Sequence, residues 1–175
     1  MSALSGMPEN SSTTFQVNTL SLYWTTRAVL PAMLENDRGR IVVIASAAGS
    51  AGVARQTDYS ASKHAAVGFT ESLRAELRQR GSAVTTLTVK PYYVNTGMFD
   101  GVKSGSPLLP IQEPEPTVEK ILSAIESTRR EILIPRMVYA VRVFRLLPAG
   151  WFDQIADLFG INRSMRDFVG RSPSA

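Results

Sequence analysis

Tyr59 and Lys63 stand four residues apart in Tyr59-Ser-Ala-Ser-Lys63, a spacing that puts both on one face of a helix. A free phenol, with a pKa of about 10, is a poor proton carrier near neutrality. An ammonium beside it favours the phenolate and brings that value toward the working range. Ser46 lies thirteen residues before Tyr59, at the end of an apolar run. Its hydroxyl can bond a carbonyl oxygen, or the alcohol it becomes, and hold that oxygen against Tyr59. The chemistry these three types offer is proton exchange at an alcohol or carbonyl. Tyr-x-x-x-Lys alone is common on purely structural helices, and a serine that merely ends a strand is the plain alternative for Ser46. The elements that carry them decide between the two.

Arg40-Ile-Val-Val-Ile-Ala-Ser46 is a β-branched run without polar alternation, the pattern of a parallel strand covered on both faces. Ser46 then falls at its C-terminal end, where open α/β sheets bind ligands. Ala47 to Gln56, with Gly49 and Gly52, reads as a flexible loop. Asp58 to Arg80 reads as a long helix with Ala61, Ala65, Ala66, Phe69, Leu73 and Leu77 on its buried stripe and Gly81 as its C-cap. Before the first strand, Phe15 to Leu34 has helical apolar spacing, broken at Asn36-Asp37-Arg38-Gly39. Phe15, Tyr23 and Trp24 are read as packing residues. Val84 to Val89 and Glu131 to Ile134 are the second and third strands, with a helix over Glu115 to Ser127 between them. This order predicts an α/β fold with a parallel sheet and consecutive right-handed crossovers. Three strands leave at least one apolar edge bare, and such edges invite association.

The chain has 175 residues, of which 44% are hydrophobic and 19% charged, enough apolar content for one packed domain rather than a disordered chain. It has no cysteine and a single histidine, His64. Disulfides, thiolate catalysis and multi-histidine metal sites are therefore excluded, and no metal is expected. His64 itself points about 100° away from Lys63 around the helix and reads as a loosely packed residue. The net charge of +4 is spread over scattered arginines, which argues against a nucleic-acid partner. No apolar run is long enough to cross a membrane. Met1 to Thr14 reads as a loose leader. Asp100 and Glu113 lack a partner at the spacing of a paired-carboxylate site.

The joint pattern is a strand ending in Ser46, a glycine-containing loop, Tyr59 and Lys63 at a helix start, and a strand running into Lys90-Pro91-Tyr-Tyr-Val94-Asn-Thr96-Gly97. It resembles the C-terminal, catalytic half of a short-chain dehydrogenase/reductase over Phe15 to Ile134. Trp24-Thr-Thr-Arg-Ala, Ala45-Ser-Ala-Ala-Gly49 and Asn95-Thr-Gly-Met-Phe-Asp-Gly101 are similar to the branch holding epidermal retinol dehydrogenases and lipid-droplet 17β-hydroxysteroid dehydrogenases. The resemblance implies half of a Rossmann-type parallel sheet with flanking helices, with residues 15–135 the partial dehydrogenase domain and 136–175 a helical extension. It implies Tyr59 as acid/base, Ser46 as the residue orienting the substrate oxygen, and Lys63 as the lysine on the nicotinamide ribose. It also implies Asn18 as holder of a relay water, with a plain helix residue as the even alternative, and Pro91, Val94 and Thr96 as contacts to the nicotinamide carboxamide. The implied cofactor is NAD or NADP, and the implied substrate a retinoid, steroid or other lipid alcohol or carbonyl. Endoplasmic reticulum membrane or lipid droplet is the location the branch implies, the cytoplasm the alternative.

The family's Thr-Gly-x-x-x-Gly-x-Gly stretch, whose backbone amides approach the pyrophosphate at a helix N-terminus, has no counterpart in these 175 residues. The expectation is thus an N-terminally truncated form that binds a nicotinamide cofactor weakly or not at all. A second reading is a catalytically inactive module that forms homodimers through the helices over Phe15 to Leu34 and Asp58 to Arg80. Gly101 to Pro116 reads as a substrate lid, since long loops in compact domains are often functional. After Pro135, Met137, Val138, Val141, Phe144 and Leu147 alternate with Arg136, Arg142 and Arg145. That stretch either packs over the substrate pocket or lies on an anionic membrane surface.

Overall fold

The computed structural model describes residues 11–99, 101–104, 106–165 and 168. Most of the expected leader, Asp100 and the end of the extension lie outside the described residues. A first short helix, α1 (Ser11–Phe15), runs through a π-helical turn at Gln16–Leu20 into α2 (Ser21–Glu35). Helix thus begins four residues before the expected Phe15. Strand β1 (Arg40–Ile44), a 3-10 turn at Ala47–Gly49 and α3 (Thr57–Gln79) follow. Then come β2 (Thr85–Pro91), α4 (Pro114–Glu126) and β3 (Glu131–Ile134). The tail holds a 3-10 turn (Arg136–Tyr139), α5 (Ala140–Phe144), α6 (Ala149–Leu158) and a last 3-10 turn (Ile161–Arg163).

The three strands form one parallel sheet in the order β1-β2-β3. Val42 faces Leu87 and Ile44 faces Val89 in the first ladder, while Thr88 faces Glu131 and Pro91 faces Ile134 in the second. β2 is the middle strand, and its run from Thr86 to Lys90 is buried throughout, as a strand covered on both faces must be. Among the described residues the outer edge of β1 has no partner strand, and Ile44 there is 50% exposed.

Side chains alternate across a strand, and the alternation shows which helix covers which face. Ile41, Val43 and Ala45 pack with Ala66, Val67, Leu73 and Leu77 of α3, and Leu22, Leu30 and Met33 of α2 close on the same cluster. Val42, Leu87, Val89, Ile132 and Ile134 pack with Ile121, Ala124 and Ile125 of α4. α3 and α4 therefore lie on opposite faces. Because the strands step in one direction, the two crossovers have opposite hands, and the expected pair of right-handed connections does not hold for one of them.

Local signals set the element ends. Gly81 takes φ +67, and the amides of Gly81 and Ser82 donate to the carbonyls of Arg78 and Leu77 at 3.1 Å each, closing α3. Pro114 opens α4 in the first-turn position where a missing N–H costs nothing. Arg40 holds the other end of α4, donating to the carbonyls of Ile125, Ser127 and Arg129.

Two expectations fail in detail. On α3, Ala61 is exposed, whereas Ser60, Ser62 and Thr70 are buried. Of the residues read as packing, Trp24 is 61% exposed, while Tyr23, 52% exposed, lies outside the core and packs edge to face against Phe69 at 4.7 Å. Among the described residues no helix is long and apolar enough to cross a membrane.

Candidate active site

Ser46 leaves β1 in extended backbone and caps the 3-10 turn, its Oγ accepting from the Ala48 amide at 3.1 Å. That turn brings Gly49 against α3. A Cβ on Gly49 would sit 2.5 Å from the Lys63 carbonyl oxygen, so only glycine allows this approach. The loop from Ala47 to Gln56 is consequently packed rather than loose, with Ala48, Ala51 and Gln56 buried. Its return leg is tied down where the Val53 amide donates to Ser60 Oγ at 3.3 Å.

The first turns of α3 face the strand end. Tyr59 faces the Ser46 hydroxyl, which acts to lower its phenol, and its ring meets Phe99 edge to face at 5.9 Å. Lys63 Nζ lies 5.7 Å from the centre of the Tyr59 ring and donates to the Ile44 carbonyl at 3.1 Å. Burial pushes the Tyr59 phenol above its ordinary value, and the Ser46 hydrogen bond works against that. Burial also lowers the Lys63 ammonium. The net direction for Tyr59 in this arrangement is upward, set by desolvation, while the Lys63 ammonium is engaged by the Ile44 carbonyl.

Ser46, Tyr59, Lys63, Pro91, Val94 and Thr96 all line one cleft of about 260 Å³ beyond the C-terminal ends of β1 and β2. Asn18 is not among the lining residues. It sits on the π-helical turn and donates through Nδ2 to Ser62 Oγ at 3.1 Å, while Ser62 Oγ donates to the Tyr59 carbonyl at 2.8 Å. Neighbouring Thr19 donates to the Ser62 carbonyl at 3.1 Å. Ser62 is thereby a fully partnered link between α3 and the segment that precedes α2. His64 turns away and bonds the Ser60 carbonyl at 2.8 Å.

Val138 and Val141, from the stretch read as packing over the pocket, line the cleft, whereas Gln56, Tyr93 and Phe99 from the loops and Ile161 from the tail were not singled out by the sequence. Tyr93 is buried, its phenol within 3.1 Å of Ser164 Oγ and 3.3 Å of Gln56 Nε2. The one available signal was the Tyr92-Tyr93 pair directly after a strand. Leu109, from the long loop, is buried and also lines the cleft. Apart from Ser46, Gln56, Lys63, Thr96 and the tyrosines, the lining is apolar. Such a space receives a hydrocarbon and offers few polar groups to orient it.

The family described as short chain dehydrogenase matches residues 4–106. Among curated relatives, epidermal retinol dehydrogenase 2 of Homo sapiens is 42% identical over 158 residues, covering 89% of this chain and 51% of the relative. Retinol dehydrogenase 10 of Rattus norvegicus is 36% identical over 170 residues, covering 93% of this chain and 49% of the relative. The chain thus spans about half the length of the curated relatives it matches. Among solved structures, a short chain dehydrogenase from Burkholderia cenocepacia in complex with NADP superposes with a TM-score of 0.71 at 24% identity. That match covers 87% of this chain and 60% of the other, and it speaks for the fold.

Proposed function

This chain belongs to the short-chain dehydrogenase family, and on that premise we propose that it carries the catalytic half of an NAD- or NADP-dependent oxidoreductase interconverting a lipid-like alcohol and its carbonyl. The observation that carries the reading is the meeting of Ser46, Tyr59, Lys63 and the Pro91–Thr96 segment in one apolar cleft. In the oxidation direction Tyr59 Oη takes the hydroxyl proton, and in reduction it returns it. Ser46 Oγ holds the reacting oxygen against the phenol. Asn18 acts through Ser62 as a positioning residue for the first turns of α3. The relatives named as retinol dehydrogenases support a retinoid or similar apolar alcohol as substrate.

The residues present fit the nicotinamide end of the cofactor. Lys63 and Tyr59 would hold the ribose, and Pro91, Val94 and Thr96 would face the carboxamide, since all five line the same cleft. A nicotinamide bound there supplies the hydride acceptor or donor. The rest of the dinucleotide finds no glycine-rich stretch in these 175 residues, so binding of NADH or NADPH by this chain is expected to be weak. The working unit includes the helical extension, because Val138, Val141 and Ile161 close the cleft. Leu109 supports the lid role of the long loop.

The test is turnover of all-trans-retinol by the purified chain with NAD⁺ or NADP⁺ at millimolar concentration. Formation of the aldehyde, reduced on Ser46→Ala, is the expected result. No turnover with retained retinol binding would favour the second reading, a non-catalytic module. Two exposed apolar faces motivate that alternative. Val17, Leu20, Tyr23, Trp24 and Val29 stand out on the α2 side, where a second copy would pair. Val143, Leu146, Trp151 and Leu158 stand out on the tail beside Arg142 and Arg145, facing where an anionic membrane or lipid-droplet surface would lie.

A further inference from the structure

The cleft is bounded on its tail side by a thin wall with a second chamber behind it. This chamber, about 70 Å³, lies among α5, α6 and the Leu108–Leu109 turn, and every residue that lines it is apolar. Leu109, Val141 and Ile161 line both spaces, so the partition is one side chain thick. Val141 and Ile161 are only half buried and pack at once with the Phe152–Ala156 cluster of α6 and with the Leu109–Val138 cluster beside the cleft. All three are anchored through their backbone carbonyls, which accept from Ser104 Oγ at 2.6 Å, from the Arg145 amide at 2.9 Å and from Ser164 Oγ at 2.8 Å for Leu109, Val141 and Ile161 respectively. Their side chains are held by packing alone, and rotamer changes in such residues are fast and small.

We propose that this chamber is a subsite for the far end of an elongated hydrocarbon chain, and that Leu109, Val141 and Ile161 form the gate that sets which chain lengths are accepted. The proposal rests on the reading of the Tyr59 cleft as the place where the polar head of an apolar alcohol binds, and deepens it. A chamber lined by apolar residues alone asks little of its occupant but surface to bury, and it penalises a charged or hydroxylated end. Its outer rim is Leu108 and Met137, 51% and 44% exposed, so a chain longer than the chamber has a way out. Short alcohols fill the cleft alone. Longer ones gain by passing the gate, with each added methylene that enters raising affinity about fourfold.

The experiment is calorimetric binding of primary alcohols from hexanol to tetradecanol, each below its solubility limit, to the full chain. Two variants fill the chamber: Ala140→Phe on half-buried α5 and, as a second in case one misfolds, Ala156→Phe on α6. For the unmodified chain, affinity should climb with length past the point at which the folded variant levels off, by tenfold or more for the longest alcohols. A common plateau for the unmodified chain and the folded variant would overturn the proposal. So would a plateau that moves with Leu158→Ser, a change on the outer face at 82% exposure, rather than with the fillers. Absent turnover with the length dependence intact would sink the catalytic reading and leave the subsite standing.

Discussion

Lys63 Nζ donates to the carbonyl of Ile44 at 3.1 Å, tying the second turn of α3 to the last residue of the open-edged strand β1. The ammonium is therefore positioned by the sheet itself, over the Tyr59 ring at 5.7 Å from its centre. Lys63→Met is expected to lower turnover on the order of a hundredfold. Lys63→Arg should fail to rescue it, because a planar guanidinium does not reproduce the compact ammonium at this spot. Steady-state rates for the three proteins, with thermal melts to show that each is folded, check this.

Stability should fall as the solution is made strongly alkaline. Burial raises the phenols of Tyr59, Tyr92 and Tyr93, against the Ser46 hydrogen bond on Tyr59 and the Ser164 hydrogen bond on Tyr93. Their folded values lie above their unfolded ones. From about pH 10 upward, the folded chain thus holds more protons than the unfolded chain, and stability declines with pH. Lys63 has the opposite sign: its folded value is lowered by burial, so the unfolded chain holds more protons just below the ordinary lysine value, and stability there rises with pH. One lysine faces three tyrosines, and the net expectation is decline. Urea midpoints measured across this range, with Tyr92→Phe giving the shallower fall, test it.

Glu131 holds the tail to the sheet. Its carboxylate sits 3.2 Å from Lys90 Nζ on β2 and pairs on its other oxygen with Arg142 of α5. Lys90 is 4% exposed, so Glu131→Ala strands a buried charge and should cost about 3–5 kcal/mol. The double change Lys90→Met with Glu131→Leu removes both charges and should cost less than Glu131→Ala alone. Arg142→Ala, at the half-exposed end of the pair, should cost under about 1 kcal/mol. Chemical denaturation of the set measures each value.

Gly49→Ala should destabilise the chain by about 1–3 kcal/mol. The new methyl group would meet the Lys63 carbonyl at 2.5 Å and Val67 at 3.1 Å, forcing the loop off α3 and Ser46 away from Tyr59. Gly52→Ala is the control, since nothing lies within 4 Å of a Cβ there. Its effect should stay within about 0.5 kcal/mol. A thermal melt separates the two.

What was legible in the chain was local. The run from Ile41 reads as a strand because it is β-branched and no polar residue interrupts it, though its expected cover on both faces fails at Ile44, which is 50% exposed. Gly81 reads as a helix stop because a left-handed residue is needed there. Crossover handedness was not legible, since the local pattern of Val42 or Leu87 does not say which helix will cover it. The burial of Ser60 and Ser62 was not legible, because their partners, the Val53 amide and Asn18, come from segments that only folding brings near. Tyr23 and Trp24 misled in the other direction, aromatic character being no guarantee of burial. In the tail, Val138 and Val141 line the cleft, as the packing reading expects, while Met137 and Leu147 remain exposed.

The most direct test is Tyr59→Phe, measured as turnover of a long-chain alcohol with NAD⁺ or NADP⁺ alongside calorimetric binding of the same alcohol. The proposed role predicts a loss of turnover of about a hundredfold to ten-thousandfold with binding changed by less than a few fold, since the ring and its contact with Phe99 remain. Undiminished turnover in the folded variant would contradict the role given to Tyr59, and with it the oxidoreductase reading of the cleft.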